Sequence, residues 1–174
     1  YNNFLKTKKF VNFCIKHNIK NFIFSSTAAI YKEDNKNRIS ENFLKKPQNP
    51  YGISKLKCEN FFLKKRNIKL FILRYFNVAG ADDKLRTGPI INDNSTHLIK
   101  KIIQTYFNKK SFFKIFGKDY PTYDGTAIRD FIYIKDLSLI HFYCIKKLNK
   151  MKTNKKIVLN CGYGVGYSVL EVVK

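Results

Sequence analysis

The chain has 174 residues, 44% of them hydrophobic, with 34 Lys and Arg against 12 Asp and Glu for a formal net charge of +22; that is enough length and apolar content for one ordinary domain with its own core, which excludes disorder as the main state. No apolar run approaches the roughly 20 residues that span a bilayer, no signal-peptide pattern opens the chain, and the first residue is Tyr instead of Met, so the expectation is a cytoplasmic protein of which this sequence is a part. Cys14, Cys58, Cys144 and Cys161 lie far apart with no C-x-x-C pair, which argues for buried free thiols and against a metal site or a disulfide framework.

The charge invites a nucleic-acid or anionic-membrane partner. Against that, the lysines are dispersed as short pairs such as Lys8-Lys9, Lys45-Lys46 and Lys146-Lys147, and arginine, the better reader of bases, is scarce. Lys, Asn, Ile, Phe and Tyr are over-used together, as a strongly AT-biased coding sequence would produce. The reading is of cations on solvated faces, with weak nonspecific polyanion binding, no specific nucleic acid and no membrane.

Residues 4–17 carry Phe4, Leu5, Phe10, Val11, Cys14 and Ile15 at helical spacing, and Asn18 stands where a helix can stop. "NFIFSS", 21–26, reads as a short apolar strand ending in small hydroxyl residues. After a polar stretch from Lys32 to Gln48, Pro50 suits the first turn of a helix, where its missing N–H would be unpaired anyway, with Asn49 as cap. That helix is expected to reach Arg66. "KLFILRYF", 69–76, is the nearly continuous apolar run of a strand covered on both faces. Alternating helix and strand predict an α/β fold with a parallel sheet and crossover helices.

Beyond Gly80, "ADDKLRTGPIINDNST" predicts a long loop, Thr96–Asn108 a helix, and "DYPTYDGTAIRD" a turn-rich polar segment before the apolar "FIYI". A helix over Asp136–Leu148, a strand "KIVLNC" over 156–161 and a Gly-rich turn follow. Ser168 and Glu171 have capping-box spacing, so a helix begins at Ser168. The sequence stops inside that helix at Lys174, which fits a piece of something longer.

"PQNPYGISK", 47–55, holds the candidate chemistry. Tyr-x-x-x-Lys also occurs at Tyr106/Lys110 and Tyr143/Lys147, and in a chain this rich in both residues roughly two matches are expected by chance, so context must discriminate. Tyr51 and Lys55 would share one helix face, with Pro50 placing Tyr51 at the helix N-terminal end. A tyrosine titrating near ~10 is a poor base at neutral pH, but a lysine ammonium and a cationic cofactor close by favour the phenolate. Thr27, at the C-terminal end of the preceding strand, can hydrogen-bond the same reacting hydroxyl.

At this point "NIKNFIFSSTAAIY", "PQNPYGISKLKCE", "LRYFNVAGAD", "THLI", "IFGKDYPTYDGTAIRDFIYIKDL" and "LNCGYGVGYSVLEVV" together resemble the extended short-chain dehydrogenase/reductases, and within them the UDP-glucose 4-epimerases. The resemblance implies an incomplete Rossmann-like, doubly wound parallel sheet with part of a smaller substrate-binding region. Residues 1–90 would be the C-terminal half of the NAD-binding domain, 91–155 the nucleotide-sugar region, and 156–174 a returning strand and helix. It implies that Tyr51 takes the proton from the sugar 4-hydroxyl while NAD accepts hydride from C4, and that the 4-ketopyranose turns over before hydride returns to its other face. Lys55 would hold the nicotinamide ribose and Thr27 the 4-oxygen. Asn2, Ser25, Tyr75 and Phe76 would contact NAD. Asn77 would contact the sugar, His97 lies in the nucleotide-sugar segment, Phe116 would lie near the uracil, and Arg129 would pair with the diphosphate, a task suited to a guanidinium fork.

Dehydratases of the same superfamily carry Asp-Glu after this Thr, whereas Ala28-Ala29 follow here, so dehydration lacks its acid and base. Three residues depart from the family pattern: Lys32 where Gly follows the Tyr, Lys100 where Pro follows "HLI", and Tyr133 where His is common. The roughly 100 residues that carry the G-x-x-G-x-x-G turn and its pyrophosphate-binding helix lie upstream of Tyr1 in this family, so these 174 residues alone are expected to bind NAD poorly and catalyse nothing. A homodimer through the helices at 4–17 and 51–66 is the family expectation. The alternatives are another nucleotide-sugar enzyme, such as a UDP-pentose or UDP-N-acetylhexosamine 4-epimerase, and a degenerate basic protein that binds nucleic acid or fills a structural role.

Overall fold

A computed structural model describes residues 2–33, 38–90, 97–107, 112 and 114–174, with side chains from Asn3 onward. The chain divides into two compact units, Tyr1–Phe76 with Asp136–Cys161 and Asn77–Lys135 with Gly162–Lys174.

The first unit is built on a parallel sheet of β1 (Asn21–Thr27), β2 (Lys69–Tyr75) and β5 (Lys156–Cys161), with β2 in the middle. β2 pairs from Asn21↔Lys69 through Thr27↔Tyr75 on one side and from Leu70↔Lys156 on the other. Its central position explains the unbroken apolar run, because Leu70, Phe71, Ile72 and Leu73 are all buried. A wide π-type turn at Asn2–Lys6 leads into α1 (Thr7–Lys16), and α2 (Pro50–Lys64) follows β1. Val11 of α1 and Phe62 of α2 join Ile68, Leu70 and Ile72 in one core, edged by Phe22, Phe24 and Val158. Side chains alternate along a strand, so odd positions of β2 face the other way: Lys69 reaches Leu148 O, and Tyr75 reaches His141, both on α4 (Ile134–Lys150). Helices therefore cover both faces, as the alternating sequence pattern predicts.

α2 starts as expected. Pro50 occupies its first turn, and Asn49 Oδ1 accepts from the Gly52 N–H at 2.7 Å. A Cβ on Gly52 would lie 2.3 Å from Ala29 O, so only glycine lets the helix sit this close to the one-turn 3-10 segment Ala28–Ile30 that ends β1.

The second unit holds a sheet of β3 (Asn77–Ala79), β4 (Ile128–Tyr133) and β6 (Gly166–Ser168), parallel between β3 and β4 and antiparallel between β4 and β6. It also holds α3 (Leu98–Phe107) and α5 (Val169–Val173), the latter opened by the Ser168/Glu171 capping box that the spacing predicts. The turn after β5 is held by Asp130, whose carboxylate accepts from the Tyr163 N–H at 3.0 Å and the Gly164 N–H at 2.7 Å.

All four cysteines are free and buried, and burial pushes the Cys161 thiol up to about 12, which leaves it inert at neutral pH. Among the described residues no helix is long and apolar enough to cross a membrane, and no cluster of His, Cys, Asp or Glu could hold a metal.

Folding gathers charges that look dispersed in the sequence. The segments 16–20, 64–69 and 150–156 enter or precede the three parallel strands and carry Lys16, Lys20, Lys64, Lys65, Arg66, Lys69, Lys150, Lys152, Lys155 and Lys156 without a single carboxylate. They are tied together there: Lys156 Nζ donates to Leu63 O at 2.6 Å and Lys65 Nζ to Asn12 Oδ1 at 2.8 Å, and the Asn67 N–H bonds Asn154 Oδ1. Three helices end on this rim, where cations suit the helix dipole. The protein is expected to bind heparin with an affinity that falls steeply with salt, and Lys64→Glu with Lys155→Glu should each flatten the log–log salt slope by about one. A slope unchanged in the double variant would place the polyanion contact elsewhere.

Candidate functional site

β1 ends in Ser25-Ser26-Thr27. Strand alternation sends the two serines to opposite faces. Ser26 is buried under α2 and donates to Glu59 Oε1 at 2.5 Å. Glu59 takes a bidentate ion pair from Arg74 of β2, Nε to Oε1 at 3.0 Å and Nη2 to Oε2 at 2.7 Å, with both side chains 1% exposed. Arg74 Nη1 also donates to the Tyr31 hydroxyl at 2.6 Å and to Glu41 O at 2.8 Å, and the Tyr31 hydroxyl donates to Asn160 Oδ1 at 2.6 Å. Burial alone would lower the Arg74 pKa; hydrogen bonds to Glu59 and its charge outweigh that and hold it above the ordinary arginine value. Sequence reasoning passed over this network. Its signal was a lone Arg inside the apolar run "LFILRYF" and a Glu four residues after Lys55 on the same helix face, since a buried guanidinium demands a carboxylate.

The ion pair fixes α2 on the sheet, and α2 carries Tyr51 and Lys55. Lys55 Nζ donates to Ser25 O at 2.7 Å and lies 5.0 Å from the centre of the Phe24 ring and 5.8 Å from that of Tyr51. Burial lowers the Lys55 pKa. Tyr51 is 49% exposed beside this ammonium, so an ionisable phenol and a fixed cation stand together at the C-terminal end of a parallel strand. Ser25 turns its hydroxyl to the other face, where it is hydrogen-bonded at 2.7 Å to the Tyr75 hydroxyl. Burial pushes the Tyr75 phenol above its ordinary pKa. Phe76 is half-buried, and its N–H continues the ladder to Cys161 O at 3.1 Å. Thr27 is half-buried, and its Oγ1 accepts from the Ala29 N–H at 3.2 Å. Thr27 thus caps the 3-10 turn, and its own hydroxyl proton remains available to a ligand. The structure thus brings together Ser25, Thr27, Tyr51, Lys55 and Tyr75. The side chain of Asn2 lies outside the described residues.

The remaining candidates belong to the second unit. Asn77 is exposed in β3, in register with Phe131. His97 is exposed and opens α3, its carbonyl accepting from the Lys101 N–H at 3.0 Å. Phe116 is 77% exposed, with Lys114 Nζ 5.3 Å from its ring centre; it is no core residue, and a flat exposed ring can stack on a base. Arg129 is exposed in β4 opposite Tyr167; Nη1 donates to Ile128 O at 2.8 Å, and its guanidinium has no carboxylate partner among the described residues.

Two of the three departures from the family pattern have side-chain partners. Lys32 is exposed, and its backbone N–H, which a glycine would also supply, donates to Leu44 O, whereas Lys100 Nζ donates to Ile90 O. The Tyr133 ring lies so close to Gly80 that a Cβ there would come within 2.5 Å, and its hydroxyl donates to Asp83, which also bonds Lys135. Of the other Tyr-x-x-x-Lys pairs, Tyr143 is 64% exposed against Phe142 on α4, and Tyr106 is 79% exposed on α3. Lys110 lies outside the described residues.

The chain matches the NAD dependent epimerase/dehydratase family over residues 1–162. A UDP-glucose 4-epimerase of Azospirillum brasilense is 40% identical over 176 residues, covering 99% of this chain and 50% of that protein. The crystal structure of a Brucella ovis UDP-glucose 4-epimerase in complex with NAD superposes with a TM-score of 0.85 at 32% identity, over 96% of this chain and 51% of the other. The UDP-Glc/GlcNAc 4-epimerase of Campylobacter jejuni gives 0.74 at 39% identity, over 99% and 52%. The chain spans about half the length of the relatives it matches. With a Tyr-x-x-x-Lys helix seated on the end of a parallel strand and a match over almost all of its length, the chain belongs to the NAD dependent epimerase/dehydratase family.

Proposed function

We propose that the protein in its natural length interconverts UDP-galactose and UDP-glucose through a 4-keto intermediate with bound NAD. The observation that carries this reading is the half-exposed Tyr51 side chain, its ring centre 5.8 Å from the Lys55 ammonium that is held on Ser25 O near the end of β1. The residues present suit a nicotinamide ribose: Lys55 uses one of its three N–H donors on Ser25 O, which leaves two for a diol at the mouth of the site. NAD, when bound, supplies the reversible oxidation at C4. Tyr51 takes the proton from the 4-hydroxyl and returns it after the ketone has turned over. Lys55 sets a positive charge near the Tyr51 ring and orients the ribose, with Ser25, Tyr75, Phe76 and Asn2 as further cofactor contacts. Thr27 donates its free hydroxyl proton to the 4-oxygen. Asn77, His97, Phe116 and Arg129 serve the sugar, the nucleotide segment, the uracil and the diphosphate.

On this reading residues 1–90 work on the cofactor, 91–155 on the nucleotide sugar, and 156–174 supply a returning strand and a helix. Exposed Leu5, Phe10 and Phe13 on the first helical segment and Ile53 and Leu63 on α2 support a homodimer through these helices. Likeness to the C. jejuni UDP-Glc/GlcNAc enzyme supports a second reading, a UDP-N-acetylhexosamine substrate. Proton NMR of UDP-galactose incubated with the protein and catalytic NAD should show the UDP-glucose anomeric signal appear. Unchanged UDP-galactose beside epimerised UDP-N-acetylglucosamine would replace the first substrate by the second.

A further inference from the structure

His141 of α4 lies behind the site and belongs to none of the roles above. Its Nδ1 is 2.8 Å from Leu137 O, one turn earlier on the same helix, and its Nε2 is 2.7 Å from the Tyr75 hydroxyl. That hydroxyl is also 2.7 Å from Ser25 Oγ, and Ser25 O accepts the Lys55 ammonium at 2.7 Å. A backbone carbonyl only accepts, so Nδ1 carries the ring proton. In the neutral ring Nε2 can then only accept, and Tyr75 must donate to it. A phenol has one proton, so Ser25 is left as the donor to the Tyr75 oxygen. With the ring neutral, the direction of every hydrogen bond in the row follows from that backbone carbonyl.

We infer that His141 is a positioning residue: held as its Nδ1–H tautomer, it orients the Tyr75 and Ser25 hydroxyls and so fixes the strand end whose carbonyl holds Lys55. This inference rests on the reaction proposed above for its kinetic consequence, but not for its geometry. A side chain without an acceptor at the Nε2 position frees Tyr75 to rotate its proton and leaves Ser25 unaligned. The imidazole and phenol rings, 5.8 Å apart between centres, would also lose their contact.

The test uses the protein in its natural length, loaded with NAD. Nitrogen-15 NMR of the labelled histidine ring should show Nδ1 protonated in the wild type. His141→Leu should lower kcat about tenfold with little change in KM for the UDP-sugar, and His141→Gln, which restores an acceptor at that reach, should recover most of it. An Nε2–H tautomer overturns the inference. So does a His141→Leu variant with a lower melting temperature and an unchanged kcat, or a His141→Gln no better than Leu. If the wild type epimerises no UDP-sugar at all, the reaction proposal fails and the ring tautomer alone decides the relay.

Discussion

Glu59→Ala is expected to lower the unfolding free energy by about 3–5 kcal/mol, the usual cost of stripping one partner from a buried ion pair. Arg74 is 1% exposed, so among the described residues its guanidinium would keep only Tyr31 and Glu41 O as acceptors, and Ser26 would lose its acceptor as well. The pair itself is worth far less than its breakage costs. Glu59→Met with Arg74→Met, which removes both charges, should therefore recover much of the loss, because the desolvation of both ions is removed with their attraction. By contrast Arg86→Ala, which breaks the exposed pair with Asp82, should leave the denaturation midpoint almost where it was. Urea unfolding followed by circular dichroism decides the matter. A Glu59→Ala midpoint close to wild type would mean that the ion pair does not anchor α2.

Tyr51→Phe carries the largest expected effect on rate. It removes one oxygen atom from a half-exposed ring whose hydroxyl has no partner among the described residues, so folding should be untouched and the melting temperature should stay within about a degree. On the proposed reaction, the rate of UDP-sugar turnover by the protein in its natural length should fall about 10²–10⁴-fold, the usual contribution of a positioned acid–base group. NAD retention should persist, because Lys55 and Ser25 are unchanged. Residual turnover within a few-fold of wild type would remove Tyr51 from the base role, and a collapse of NAD binding would make it a cofactor residue instead.

Legibility in the sequence followed periodicity and caps. α1, β1, α2, β2, β5 and the start of α5 were readable because each has several turns of pattern or a cap with a fixed offset, Asn49-Pro50 and Ser168/Glu171 above all. β3 and β6 were not, since three residues each cannot display a period of two. Tyr51 and Lys55 were legible because both lie on one helix and four residues apart is one turn. Arg74, Glu59, Ser26, Tyr31 and Asn160 come from five segments, and only tertiary pairing brings them together. The same holds for His141 with Tyr75 and for the basic rim, whose three stretches look like ordinary solvated lysines until the parallel sheet aligns their ends.

The two serines that close β1 give the protein a mechanical property. One is tied to the layer beneath α2, the other to the layer beneath α4, and a single carbonyl between those ties carries the lysine. Neither helix layer can therefore drift without moving the same atom. A repacking substitution on one side of the sheet will be felt as a change of reactivity, and a compensating substitution on the other side, with no contact to the first, can restore it. Second-site suppressors of weak α2 variants should thus turn up on α4.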